Sequence, residues 1–523
     1  MKNKLTAIIL VLVLAASAAG CRKTGGSSEA SADGESGASE VTSVESSDEE
    51  SEAEASEEAS GAASDTKSSS GANNPDKTAT GSKNTTSTES SAAKDSSSNV
   101  KAAQKVTVKD GNTPLESNLN FGGKTFTMAT TQEEQFNTNA FKRMKAAFET
   151  KYNCKITVTQ LTFGTYNTQV TQALSAGQSY DICFQHGSMY PAGIISKLYK
   201  GFGGTITTAD LTDKNNLAAG GIDLAKSSYF AYKGELYGLC DFYNTDPLIY
   251  YYNKKMFKDK GLEDPLDLYK SGKWTWDKLK SMGQKVTNAG ADTYFLSFHS
   301  GAKNICITYG SPFLSVADGN AVEYMTSTAV TNGMNMFKSL HFGSNAIAAP
   351  TEDTSSYNLA SGDFVKGKVY MYQEESSKFT TMSDYSAEST AFGKNRGNLG
   401  IVPLPVAKTN ASKMYPVGWL RGVFAGIGTS DIRAAAAWAK FESSYTDVVE
   451  DKNAMSKEYQ KLCDDLLLGA IGFDHGLYST SEFNTLDLTT DWSNTIKKGS
   501  DIAQATDQYR SKVQACINAT PVK

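Results

Sequence analysis

The chain of 523 residues carries a formal net charge of -6 at neutral pH, with 39% hydrophobic and 21% charged residues. An acidic cluster runs from Glu40 to Glu58 and no Lys/Arg-rich block exists to track phosphates, so no nucleic-acid partner is expected. The 7 cysteines lack C-x-x-C spacing and His186, His299, His341 and His475 are dispersed, so neither a metal nor an organic cofactor is expected.

Lys2 and Lys4 precede an apolar stretch over 5–16, and Ala18, Ala19 and Gly20 precede Cys21. That order predicts a signal peptide over 1–20, since a dozen or so apolar residues cannot span a hydrocarbon core of about 30 Å. Cys21 after Ala-Ala-Gly resembles the bacterial lipobox, although Ala18 stands where Leu is usual. The resemblance implies lipidation at Cys21 and anchoring at the outer face of the cytoplasmic membrane, with acyl chains each burying methylenes worth about 0.8 kcal/mol. Residues 21–105 are rich in Ser, Glu and Ala, cannot bury enough surface to offset chain entropy, and read as a disordered tether.

The remaining roughly 400 residues exceed a single core and predict two lobes. Gly122-Gly123 marks a turn before an extended run over 126–129. Thr131 and Glu134 form a capping-box pair, predicting a helix that carries Phe136, Phe141, Met144 and Phe148 at helical spacing. Residues 155–161 alternate as a strand, Val170 and Leu174 lie on a second helix stopped by Gly177, and residues 181–184 form a third strand with Cys183 as a buried free thiol. Strand and helix alternating with short connections predict a parallel, doubly wound sheet. Such sheets bind ligands beyond the carboxyl ends of their strands, which singles out 130–132, 163–166 and 185–188. Gly123-Lys124-Thr125 is no phosphate loop, because Asn118 stands where Gly is required and a strand follows.

Further on, Lys233-Gly234-Glu235 suits a hairpin turn, residues 250–253 lead into a helix, and Thr275 can cap a helix holding Trp276, Leu279 and Val286. The prolines at 403 and 405 end a strand.

YDICFQHGSMYPAGI from Tyr180, YKGELYGLCDFYNTDPLIYYYNKKMFKDKGLEDP from Tyr232 and GKWTWDKLKSMGQKVTN from Gly272 occur in order. FVKGKVYMYQEES from Phe364, GNLGIVPLP from Gly397 and VGWLRGVFAGIGTSDIRAAAAWAKF from Val417 follow. Together they resemble the extracellular solute-binding protein family 1, the maltose-binding-like receptors of ABC importers. Lys278 and Cys240 depart from the family's usual Glu and Pro. The resemblance implies a two-lobed, periplasmic-binding-protein-like (type II) α/β fold, each lobe a mixed sheet flanked by helices, with a ligand cleft between lobes. It places lobe one at 120–243 plus 418–448 and lobe two at 244–417 plus 449–523. It further implies a monomeric receptor that captures a small polar solute, a sugar or oligosaccharide, by lobe closure and delivers it to a permease.

Sugars offer apolar CH faces ringed by hydroxyls, so candidate contacts combine aromatic platforms with directional polar groups. Trp419 and Arg421 lie on the returning crossover, and Asp241, Tyr243 and Asn244 on the first. Tyr372, Gln373 and Glu374 are placed just past a strand of lobe two, and Thr130, Gln132, Gln185 and His186 at strand ends of lobe one. Arg421 also suits a structural ion pair, and Trp274, Trp276 and Trp438 suit packing. Two alternatives stay open: a carbohydrate-active enzyme working with two carboxylates, and a surface sensory or adhesion protein on the same fold.

Overall fold

Period-two and helical patterning build the first part of the body much as read. The computed structural model describes residues 115, 118–132, 134–186, 190–241, 245–298, 301–317, 320–350, 362–409, 413–445, 455–469, 471–473 and 488–519. The leader, Cys21 and the tether lie outside the described residues, as do Tyr243 and Asn244. Strand β1 (Thr125–Thr131), helix α1 (Asn139–Tyr152), β2 (Lys155–Leu161), α2 (Tyr166–Ser175) and β3 (Ile182–His186) follow one another. β1 lies parallel to both β2 and β3, with Thr125 opposite Lys155 and Met128 opposite Ile182. Helical crossovers produce this arrangement.

The start of α1 corrects the capping expectation. Thr131 is the last residue of β1, paired with Leu161, so its ladder position takes it away from any cap. A 3-10 turn over Glu134–Asn137 intervenes, and Thr138 caps α1 by accepting from the Phe141 amide at 3.1 Å. β1 and β3 also run further than read. Thr130 and Thr131 pair with Gln160 and Leu161, and Gln185 and His186 pair with a later strand, so these four are strand residues rather than loop residues.

That later strand joins the two halves of the sheet. β4 (Thr245–Asn253), β5 (Tyr294–Ser297), β6 (Val369–Glu375), β7 (Leu399–Pro403) and β8 (Tyr415–Gly426) give the order β2-β1-β3-β8-β4-β6-β5, with β7 also on β4. The second half of β8 is antiparallel to β3, Arg421 facing His186 and Ala425 facing Ile182. Its first half is antiparallel to the start of β4, Val417 facing Pro247 and Leu420 facing Thr245, with a register shift around Gly418. Beyond Pro247, β4 runs between β6 and β7, and all nine of its residues are buried, as a strand covered on both faces must be. Tyr372, Gln373 and Glu374 therefore lie inside β6 rather than past it, because each pairs with β4.

Two α/β lobes meet through β8 and β4. In one, Trp438 of helix α3 (Arg433–Ser444) packs on Phe148 with ring centroids 4.9 Å apart. In the other, Tyr251, Tyr372 and Leu466 share a core cluster, and Trp276 and Trp274 are buried with their indole NH groups donated to Thr308 and Pro403, both at 2.8 Å. The Trp276 helix (Trp276–Gly283) is capped by Thr275 as read but stops before Val286. Ala231–Tyr232 and Glu235–Leu236 form the expected hairpin, with Lys233 and Gly234 at φ 52 and 78. Cys154, Cys183, Cys240, Cys306 and Cys463 are buried free thiols, and burial pushes Cys183 up to about 12.

Candidate functional site

The carboxyl ends of β1 and β3, the middle of β8, the head of β4 and the end of β6 converge on the crossover. Register fixes who meets whom: His186 faces Arg421, Trp419 faces Asp246, and Glu375 faces Leu248. Candidates read from distant parts of the chain are thus drawn into one band by the pairing of β8 with β3 and β4 and of β4 with β6. The backbones of His186 and Trp419 fall in that band, while their side chains lie outside what is described.

In the first lobe, Thr130 is buried and its Oγ1 meets no partner among the described residues. Gln132 follows it, exposed. Gln185 is buried and commits its Nε2 to Asn167 Oδ1 and Tyr199 Oη, both at 2.6 Å, so that amide end is spent within its own lobe. Arg421 is buried with its guanidinium 5.3 Å from the Phe136 ring and 5.8 Å from that of Phe184, a cation–π seat. Burial, with the charge of Asp241 added, pushes the carboxyl of Glu442 well up, and Arg421 opposes the shift. Asp241, itself buried, bridges Ile222 through its backbone. Asp241 and Arg421 therefore belong to a buried charge group on the α3 side, which extends to the Lys226–Asp223 ion pair at 3.2 Å.

In the second lobe, Glu374 accepts from the Tyr372 hydroxyl at 2.8 Å and from the Glu375 amide at 3.0 Å. Asp246, missed by the sequence reading, accepts from Ser376 Oγ at 2.7 Å and the Ser377 amide at 3.1 Å. Burial pushes its carboxyl up and the nearby charge of Glu374 adds to the rise, while the two serines oppose it. Glu375, Gly418 and Tyr250 were also missed. An Asp-Pro pair heading an apolar strand and a Gly beside the crossover Trp were the available signals.

A pocket of about 380 Å³ lined by Met256, Asp259, Asn288, Thr293 and Tyr370 lies elsewhere. Tyr370 is the second residue of β6 and Glu375 the last, so the pocket is at the far end of that strand from the crossover. Among the described residues no group of three His, Cys, Asp or Glu side chains could hold a metal ion, and no helix is long and apolar enough to cross a membrane.

Strand pairing thus brings the candidates from both halves of the sheet to the crossing strands β8 and β4, beyond the carboxyl ends of β1 and β3. The chain belongs to the bacterial extracellular solute-binding proteins, whose family profile matches residues 143–447, more than half of it. The fold is shared with an ABC substrate-binding protein from Listeria monocytogenes, solved with cycloalternan, at TM-score 0.55 and 14% identity over 76% of this chain and 99% of that one. It is shared as well with an extracellular solute-binding protein from Staphylococcus aureus in complex with maltose, at TM-score 0.54 and 15% identity over 76% and 98%. A galacto-N-biose-/lacto-N-biose I-binding protein from Bifidobacterium longum, in complex with lacto-N-biose, matches at TM-score 0.53 and 13% identity over 76% and 98%. Comparison with curated proteins gives no match.

Proposed function

We propose that this protein is the lipid-anchored receptor of an ABC importer, capturing a sugar or oligosaccharide by lobe closure and passing it to a permease without making or breaking a bond. The carrying observation is the division of β8. One half pairs with β3 and the other with β4, so solute contacts near Trp419 and Arg421 draw on both lobes at once. Contacts available only when both lobes engage stabilise the closed state, because differential affinity is what shifts such an equilibrium.

In this reading lobe one is 120–243 plus 418–448 and lobe two is 244–417 plus 449–523. Thr130, Gln132, Gln185, His186, Asp241, Tyr243, Asn244, Tyr372, Gln373, Glu374, Trp419 and Arg421 remain the contact set. Cys21 anchors a monomer outside the cytoplasmic membrane, and residues 21–105 provide reach. The carbohydrate preference is supported by the sugars bound in the three solved relatives. A thermal-unfolding panel of oligosaccharides tests it: a sugar at a hundred times its Kd should stabilise the chain by about 2.7 kcal/mol. A panel without any shift would remove the carbohydrate assignment.

A further inference from the structure

Two side chains buried in the second lobe end in polar atoms that meet no partner among the described residues. Gln373 of β6 and Tyr250 of β4 stand directly opposite each other in the antiparallel ladder, and both are 0% exposed. The Gln373 Oε1 and Nε2 and the Tyr250 hydroxyl find no hydrogen-bond partner among the described residues. Opposed residues share a face with their Cβ atoms about 5 Å apart, so the two polar side chains rise from neighbouring points on one face. Apolar groups border Tyr250. Val402 pairs with Tyr250 from β7, and the rings of Trp276 and Phe298 each lie 6.4 Å from the Tyr250 ring. The Trp276 indole NH is already donated to Thr308.

The polar inventory cannot close on itself. An amide brings two donors and an acceptor, and a phenol brings one of each. Even a direct bond between Tyr250 and Gln373 Oε1 would leave the Nε2 protons unmet, a condition folded proteins rarely tolerate in a core. One oxygen that both accepts and donates would meet the Nε2 donor and one of the two acceptors together. We infer that Gln373 and Tyr250 form a buried subsite for a single hydroxyl-type oxygen, held as ordered water in the free protein and open to replacement by a hydroxyl of the bound solute. The subsite lies close under the crossover, since Glu375, two residues along the same face of β6, packs against Gly418 of β8. Only the replacement by solute rests on the proposed function.

High-resolution diffraction from the full chain, alone and soaked with maltose, reads the site directly. Without sugar, an oxygen is expected about 2.7–3.2 Å from both Gln373 Nε2 and Tyr250 Oη. With maltose bound, a sugar hydroxyl in that place marks a specificity subsite, and a retained water marks a structural one. A site free of any oxygen in the unbound chain overturns the inference. Failure of maltose to bind counts against the carbohydrate assignment alone. In solution, Gln373→Leu and Tyr250→Phe should each lower the folded-to-unfolded ratio at least about fivefold, and the double variant should recover most of that loss, because removing both partners is nearly neutral. Strictly additive losses would contradict a shared guest.

Discussion

The carboxylate of Glu375 lies against the backbone of Gly418, so close that a Cβ on that glycine would sit 2.4 Å from Oε1 and 2.6 Å from Cγ. This contact ties the end of β6 to the register shift in β8, at the point where the two lobes exchange strands. Gly418→Ala must displace Glu375 or bend the crossover, and overpacking of this kind costs about 1–3 kcal/mol. Urea unfolding should show that loss, and placing Gly418→Ala in a Glu375→Ala background should remove most of it. Equal losses in both backgrounds would mean that the contact carries no strain.

His341 sets a pH dependence of stability. Its ring packs on Phe298 and Phe337, its Nδ1 lies 3.0 Å from the Phe337 carbonyl, and burial pushes its pKa down to about 4, with Lys497 adding to the fall. The unfolded chain binds this proton near pH 6.5 and the folded chain only near 4. Stability from a neutral His341 is therefore complete above about pH 6.5 and is lost as pH falls toward 4, by roughly 2–3 kcal/mol given the ring's partial exposure. Unfolding free energies across this range should lose that slope in His341→Phe.

Asp246 behaves in the opposite sense. Its folded pKa is raised by burial, so its contribution is complete below the unfolded carboxyl value and declines as pH rises through the folded one. Asp246→Asn keeps an acceptor for Ser376 and Ser377 and removes the buried charge, so at neutral pH it should be at least as stable as the parent. Asp246→Ala leaves both donors unmet and should lose about 1–3 kcal/mol in denaturant titrations. A neutral outcome for the alanine variant would show that those donors find other acceptors.

How much of this was legible in the sequence depended on whether a residue's role is local. Ile156 in β2, the Thr275 cap and the Lys233-Gly234 turn follow from period and turn chemistry within a few residues, and they stand as read. Thr131 looked like a helix cap because Glu134 sits three residues on, yet pairing with Leu161, set by a strand thirty positions away, decided otherwise. The same holds at the crossover. Nothing near Gln373 or Glu374 reveals that β4 continues alongside them, so both were placed past a strand they belong to. Asp246 and Glu375 escaped notice because their significance arises only from Ser376, Ser377 and Gly418 brought in from other segments.

Trp438 separates packing from recognition. It is fully buried between Phe141 and Phe148, with ring centroids 6.1 and 4.9 Å away. Trp438→Ala should cost about 3–5 kcal/mol in thermal or urea unfolding. Calorimetric titration of the molecules still folded should show solute affinity unaltered, whereas a selective loss of affinity would place Trp438 in recognition.

If two hinged lobes clamp a solute that each holds only in part, the lobes must approach each other when it binds. Spin-label distance measurement between nitroxide-bearing residues at Thr150 and Ser271, exposed positions on α1 and in the second lobe, tests it most directly. Adding the sugar that stabilises the chain should shorten the distance, and removing it should restore the original value with the sugar recovered intact. A bound sugar that leaves the distance unchanged would mean that the lobes do not close on it, and one recovered cleaved would mean that the protein is an enzyme.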